Sequence, residues 1–565
     1  MAEAKPRSTA LRGKWAKQIA ASMKDFSALH TSGDIVVDTY RIEARSSTQK
    51  DKYNILYSIT ETIKPSMYSQ TPKPEVKRRH VDRKNPIVLG ATLLLESAVQ
   101  YVVDEQDFDD IITSNVEDFL LPGLGQAWCR YEPTINRTPK VDEQGQPVLG
   151  DEGKPTYDED ISYEKVIVEY IHWKDFLTSK GRRWSEVWWV AKRVYLDKDA
   201  VARQFGKEIA QKCQYTSGKK PGQTDNQSLD DKQIAVWEIW DKRARKIIWY
   251  SEGYEEDVLK VADDFLKLKD FFPCPRPLRA VFTNNKFIPR PFYSQYQAQA
   301  DELNDITYRI RKLVDALRVV GVYDQSVPAL QNLLTGAGNK MIPVDNWAVM
   351  AEKGGIKGTV DFFPISEVAT VLLQLYDARE RVKGEIYEIT GWSDIIRGVS
   401  RASETLGAQQ IKAEWAGARL KLLQKDVQRF VRDIFRIIGE ICAEHFSDEM
   451  LMLMAGYEPD PNTPEGVQEI QIFKQVIELV RSEKERCALI GIESDSTLLP
   501  DEANDRKERM EFLSSAGAFL QQAVPAAQQT PALGPLLGQI IMFAVRSFRS
   551  ARSLEAEFEQ FVESI

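Results

Sequence analysis

"SEVATVLLQLYDARERVKGEIYEITGWSDIIRGVSRASETLGAQQIKAEWAGARLKLLQKDVQRFVRDIFRIIGEICAEHF", residues 366–446, decides how this chain is built. Ser366 can cap a helix, with Glu367 beside its positive N-terminal dipole. Val368, Leu372, Leu375, Val382, Ile386 and Ile389 follow in steps of three and four, with Arg379 filling one place in the row. That narrow seam suits a near-parallel helical neighbour. Gly391 and Gly398 bracket a break. A second helix runs from about Ser403 to His445, with Ile411, Trp415, Leu422, Val427, Phe430, Ile434, Ile438 and Ile441 at helical spacing. At 1.5 Å per residue it is roughly 60 Å long, more than an ordinary compact domain surrounds. Such a chain is expected to build something larger than itself.

Outward from there, residues 291–320 read as a matching helix. Pro291 suits a first helical position, and the stripe is Tyr296, Leu303, Ile306, Ile310, Leu313, Leu317 and Val320, with Gln299 in the row. Between the two helices lies a small αβ module. "VVGVYDQ" and "KMIPVDNW" read as strands, "VPALQNLL" as a short helix and "EKGGIKG" as a turn. The helices are expected to pack antiparallel with the module at the far end, and an ordinary helical hairpin with an insertion fits the same pattern.

Residues 1 to about 125 read as mostly helical. One helix is expected to stop at Lys64-Pro65, because the residue before proline avoids the α region. A basic extended segment and two further helices follow, closing at Pro122-Gly123. From 126 to 290 the chain turns β-rich, in "GQAWCRYEP", "EKVIVEYIHW", "SEVWWVAKRV", "KQIAVWEIWD" and "RKIIWYSEG". Eight of the 12 tryptophans fall between Trp128 and Trp249; they read as core in preference to a base-stacking platform. After Phe446 come a turn-rich bridge, a helix over "VQEIQIFKQVIELVRSEKE", a strand-turn-helix, an Ala/Gln/Pro-rich linker and a last amphipathic helix. The fold class expected is α+β, mainly helical.

With 84 acids against 75 bases the formal charge is −9 over 565 residues, which disfavours tight unspecific nucleic-acid binding but suits a conduit through which DNA slides. Cys129, Cys213, Cys274, Cys442 and Cys487 are scattered and read as reduced thiols. No secretory h-region is apparent, and the longest apolar run, near Leu536–Val545, is too short to cross a bilayer, so a soluble protein is expected. "GDEGKPT" lacks phosphate-loop spacing, and no H-E-x-x-H, G-x-S-x-G or paired C-x-x-C occurs. His30, His80, His172 and His445 are isolated, and "ESDST", with Glu493 and Asp495, reads as a helix cap in preference to a metal site. No catalytic residue, metal or cofactor is expected.

The order of parts resembles the portal, or head-to-tail connector, proteins of tailed bacteriophages. The likeness rests on "NILYSITETIKPSMYSQTPKPEVKRR" (54–79), "VIVEYIHWKDFLTSKGRRWSEVWWVAKRVYLDKDAVARQFG" (166–206), "VWEIWDKRARKIIWYSEG" (236–253), and residues 288–317, 389–441 and 492–513. The resemblance implies a wing (1–289), a first stem helix (290–320), a clip (321–365), a second stem helix (366–390), a tunnel loop (391–403), a long wing helix (404–446) and a crown (447–565). It implies a non-enzymatic ring, usually of twelve subunits, at one capsid vertex of the virion, assembled in the host cytoplasm. The ring would pass double-stranded DNA during packaging and ejection. Its partners would be the terminase large subunit, head–tail adaptor and tail proteins, and the major capsid and scaffolding proteins, with no membrane. Arg397 and Arg401, with Trp392 and Ser400, are the tunnel candidates, and pairing with Asp394 and Glu404 is the open alternative. Lys340, Lys353 and Lys357 are clip candidates for DNA or adaptor contact, or plain solvated lysines. Lys77, Arg78, Arg79 and His80 point to a subunit or capsid contact before DNA. Tyr296, Leu303, Ile310, Leu317, Val368, Leu372, Leu375, Val382 and Ile386 would form the stem packing. A phage enzyme or ATPase on a helical scaffold, and a ringless ejection or scaffold protein, are the alternatives.

Overall fold

The computed structural model describes residues 8–42, 53–78, 86–139, 157–216, 232–316, 321–323, 347–352, 354–355, 360–362, 365–391, 406–456, 463–482, 486 and 490–494, with 510, 514, 517–518 and 521 beyond. Two units divide the chain, Met1–Asp495 and Ser496–Ile565. Helix holds 59% of the described residues, so the chain is α+β with helix dominant.

Helix α1 (Ser8–Arg41) is followed by α2 (Ile55–Met67), strand β1 (Pro74–Arg78), α3 (Pro86–Asp104) and α4 (Phe108–Leu120). Contrary to the expected stop at Lys64-Pro65, α2 runs through Pro65. In the last turn the proline forfeits one backbone bond, the Tyr68 N–H still reaches the Lys64 carbonyl, and Met67 is fully buried, which holds the extra turn. Helix α3 is long and apolar enough to cross a bilayer by length and composition, and half of it is buried inside the protein.

The β-rich part contains β2 (Leu124–Pro139), β3 (Tyr157–Ile171), β4 (Phe176–Thr178), β5 (Trp189–Leu196), α5 (Lys198–Phe205), α6 (Lys207–Lys212), β6 (Ile234–Asp241), β7 (Lys246–Tyr250), β8 (Lys260–Asp263), β9 (Leu278–Arg279), β10 (Val281–Thr283) and β11 (Lys286–Arg290). Strands β4 to β8 form an antiparallel meander in sequence order, and β3-β2-β9 form a second sheet. Tryptophan is core here: Trp128, Trp189 and Trp240 are buried, with Trp128 edge-on to Trp240 at 6.4 Å. Buried Lys192 lies over the Trp128 ring and is neutralised by Glu169 at 2.9 Å and Glu238 at 3.6 Å.

Next come α7 (Gln297–Ala316), β12 (Gly321–Tyr323), α8 (Trp347–Glu352), β13 (Val360–Phe362), α9 (Ile365–Thr390), α10 (Leu406–His445), α11 (Asp448–Met454), α12 (Pro464–Arg481) and β14 (Ile490–Ser494). Trp347 opens a helix, where a strand ending was expected. The bridge after Phe446 holds helix α11, because Ser447 caps it: its hydroxyl accepts the Met450 N–H. Ser447 in turn donates its N–H and hydroxyl to buried Glu164 at 2.7 and 2.8 Å, and Tyr131 donates to the other Glu164 oxygen.

Seven elements of the first unit converge on α10, whose C-terminal half is its most buried part. Val427, Phe430, Val431, Ile434, Phe435, Ile438, Ile441 and Cys442 are fully buried, against α2, α3, α12, β2, β3, β9 and β14. At Gly439 a Cβ would stand 2.6 Å from Ile492 of β14, so that helix and strand touch because the position is glycine. Strand β14 pairs antiparallel with β1, from Pro74↔Ser494 to Arg78↔Ile490, closing the far end of the unit onto its start.

His30 on α1 lies edge-on to Trp173 at 5.6 Å, its Nε2 buried without a hydrogen-bond partner. Burial, then the charges of Lys174 and Arg193, lower its pKa to about 4. The folded state therefore binds fewer protons than the unfolded one, so this stability is present above pH ~6.5 and is lost as pH falls through 4, by at most about 2 kcal/mol once partial exposure is allowed for. Melting curves of His30→Leu should fall less between pH 7 and 4.5 than those of the wild type. An equal fall would contradict this role.

Candidate assembly and conduit surface

Helices α7 and α9 pack side by side. The start of α7 meets the end of α9, and the strands beyond their other ends, β12 and β13, pair as Gly321↔Phe362, Val322↔Asp361 and Tyr323↔Val360, so the helices run antiparallel. The hydrogen-bonded partner of β12 is thus β13, which the sequence pattern did not indicate. Helix α7 begins later than Pro291, whose extended ψ of 146° serves as the cap of a 3-10 turn, Phe292–Gln295. Tyr293 and Tyr296, edge-on at 5.3 Å and both buried, anchor that turn before regular helix starts.

Burial along the seam is graded, save at Ile389, which is 39% exposed at the end of α9. Tyr296 just before α7, Leu303 and Ile310 on α7, and Val382 and Ile386 on α9, are buried at the root of the pair. Leu313, Val368, Leu372 and Leu375, further out, are half-buried, and Leu317 lies outside the described residues. Beside the seam, apolar side chains face solvent: Tyr308 and Val314 on α7, and Val371, Leu373 (67% exposed) and Tyr376 on α9. Two helices cover one stripe on each other, and this pair carries more apolar surface than that stripe.

The root is clamped by Tyr53. Its backbone N–H donates to Asn304 Oδ1 at 2.9 Å, and Arg379 and Lys383 of α9 lie over its ring. At the end of α9, Gly391 takes φ +73°, and its N–H donates to the Tyr387 carbonyl at 2.8 Å, a left-handed helix stop. Arg419 of α10 lies against it and donates to the Ile389 carbonyl at 3.3 Å. An apolar cavity of about 270 Å³ sits there, between Phe292, Tyr296, Ile389, Leu422 and Leu423.

The tunnel candidates Trp392, Arg397, Ser400 and Arg401, and the clip candidates Lys340, Lys353 and Lys357, lie outside the described residues. Lys77 and Arg78 are on β1, with Lys77 paired to Glu75 at 2.9 Å; Arg79 and His80 lie outside. Glu493 is on β14, opposite Glu75, and Asp495, with the helix start that "ESDST" was expected to cap, lies outside the described residues. His445 stacks on Tyr131 at 4.8 Å, and Cys129, Cys213, Cys274 and Cys442 are buried and free. Sequence reasoning missed the root clamp, for Tyr53, Asn304 and Arg379 share no local pattern. No family model matches the chain, and no curated protein matches it.

Gly391→Ala should cost about 1–2 kcal/mol in chemical denaturation, from the left-handed backbone and displacement of Arg419. Gly384→Ala, exposed inside α9 with open space at its Cβ, should be neutral or stabilise by up to about 1 kcal/mol. Equal effects at the two glycines would contradict the stop at Gly391.

Proposed function

We propose that the chain is a subunit of a phage portal: a ring at one capsid vertex through which double-stranded DNA is packaged and ejected. The reading rests on one observation, a rooted antiparallel helix pair that keeps apolar side chains on its flanks beyond what its own seam covers. Copies arranged heterologously around a closed ring would cover those flanks on both sides. The pair would be the stem, residues 321–365 the clip that meets terminase and adaptors, and 391–403 the segment facing DNA. The acidic balance of the chain supports a channel that lets DNA slide, since each fixed phosphate contact adds salt-sensitive grip. The reading needs no nucleotide hydrolysis by this chain, and a separate terminase would supply the energy.

Mass photometry should find the wild type in closed assemblies of about a dozen copies. Val371→Asp with Leu373→Asp should give monomers with unchanged circular dichroism, and assembly by that variant would contradict the role of the exposed flank. Shortening 391–403 should leave rings intact while lowering the yield of DNA-filled heads at least tenfold. Normal phage yield would contradict the tunnel assignment.

A further inference from the structure

Away from the helix pair, a cavity of about 590 Å³ opens between the C-terminal half of α10, the 268–276 segment and β14. Helix α10 supplies Arg429, Arg432 and Arg436, rising along one face over about 10 Å at 1.5 Å per residue. Lys269 and Arg276 come from the facing segment, Lys242 from the turn after β6, and Arg486 from the stretch after α12. Against these seven cations the described residues of the walls carry three acids, Asp270, Asp433 and Glu440. Asp433 is engaged by Arg429 at 3.2 Å and Arg432 at 3.4 Å. Glu440 accepts the Lys269 N–H at 3.0 Å, and burial raises its pKa, which weakens it as a counter-charge.

The cations crowd one another, although Arg429 donates to the Arg276 and Pro277 carbonyls and Arg436 to the Ile492 carbonyl. Burial lowers the pKa of Arg429, and neighbouring Arg276 lowers it further; Arg279, behind them, is brought to about 10 by burial and then by Arg276 and Arg429. The Nε atoms of Arg276 and Arg429 are buried without a hydrogen-bond partner. Asp426 stands at 3.9 Å from Arg276 and 3.7 Å from Arg429 Nε, too far to satisfy either. Buried donors left this way cost stability.

We propose that this cavity binds a small polyphosphate anion, free or as the phosphate chain of a nucleotide. Guanidinium forks recognise phosphate oxygens in pairs, and three of them in a row suit an extended multivalent anion. The volume is that of a small-molecule site and too small for a duplex. Trp184 and Phe272 stand in the same wall, beside Lys242, where a base would find aromatic surface. A bound anion would relieve the repulsion among the arginines and tie α10 to the 268–276 segment and β14. It needs no second copy of the chain, so a monomer would bind as a ring does.

The test is thermal unfolding of the full chain with sodium tripolyphosphate or ATP, against sodium chloride at equal ionic strength. At a hundredfold excess over Kd the melting temperature should rise by about 3 °C for a chain of this size. Arg276→Gln with Arg432→Gln should lose the rise and weaken binding in calorimetry at least tenfold, while keeping the wild-type circular dichroism. Equal shifts with tripolyphosphate and ATP would place recognition in the phosphates, and a larger shift with ATP would add the aromatic wall. No shift beyond sodium chloride, the same shift in the variant, or a response to duplex DNA alone would overturn the proposal.

Discussion

The C-terminal half of α10 is the post on which the first unit depends. Eight of its side chains, from Val427 to Cys442, have no exposed surface, and they touch helices and strands drawn from both ends of the unit. At roughly 2 kcal/mol for each large apolar side chain buried, no other element among the described residues concentrates as much stabilisation. The bare side of Gly439 lets β14 close against the post, and β14 then binds β1, so residues more than 400 positions apart become neighbours. One helix therefore fixes where the β3-β2-β9 sheet, α2, α3 and β14 can lie.

Burial along the outer helix pair falls from root to tip: Ile386 and Leu303 have no exposed surface, whereas Leu373 is mostly solvated. Tyr53 fastens the root through Asn304, and the Gly391 stop turns the chain out of α9 beside Arg419. A pair so fastened presents its apolar flanks in a set direction, which is what a repeating interface between copies requires. The arginine row of α10 belongs to the same post, where it lines the cavity of about 590 Å³.

Much of this was legible in the sequence where period and composition act locally. The three-and-four spacing of Val382 and Ile386 marked α9, and the β-branched and aromatic residues marked β5 to β7. Reading failed where tertiary contacts override a local rule. Met67 burial carries α2 past Pro65, two tyrosines delay α7 beyond Pro291, and Glu164, almost 300 residues away, secures the Ser447 cap. Pairing of β1 with β14, and of β12 with β13, depends on partners far apart in the chain, about which neither short strand carries information. The arginines of the cavity were invisible for the same reason, since Arg276 and Arg432 meet through folding alone.

Electron micrographs of the purified chain, viewed end-on, test the central idea most directly. Copies closing through the exposed flanks of α7 and α9 should appear as rotationally symmetric rings with an open centre wide enough for a DNA duplex. Single particles of one-subunit size at every concentration, or open chains of copies without closure, would contradict it.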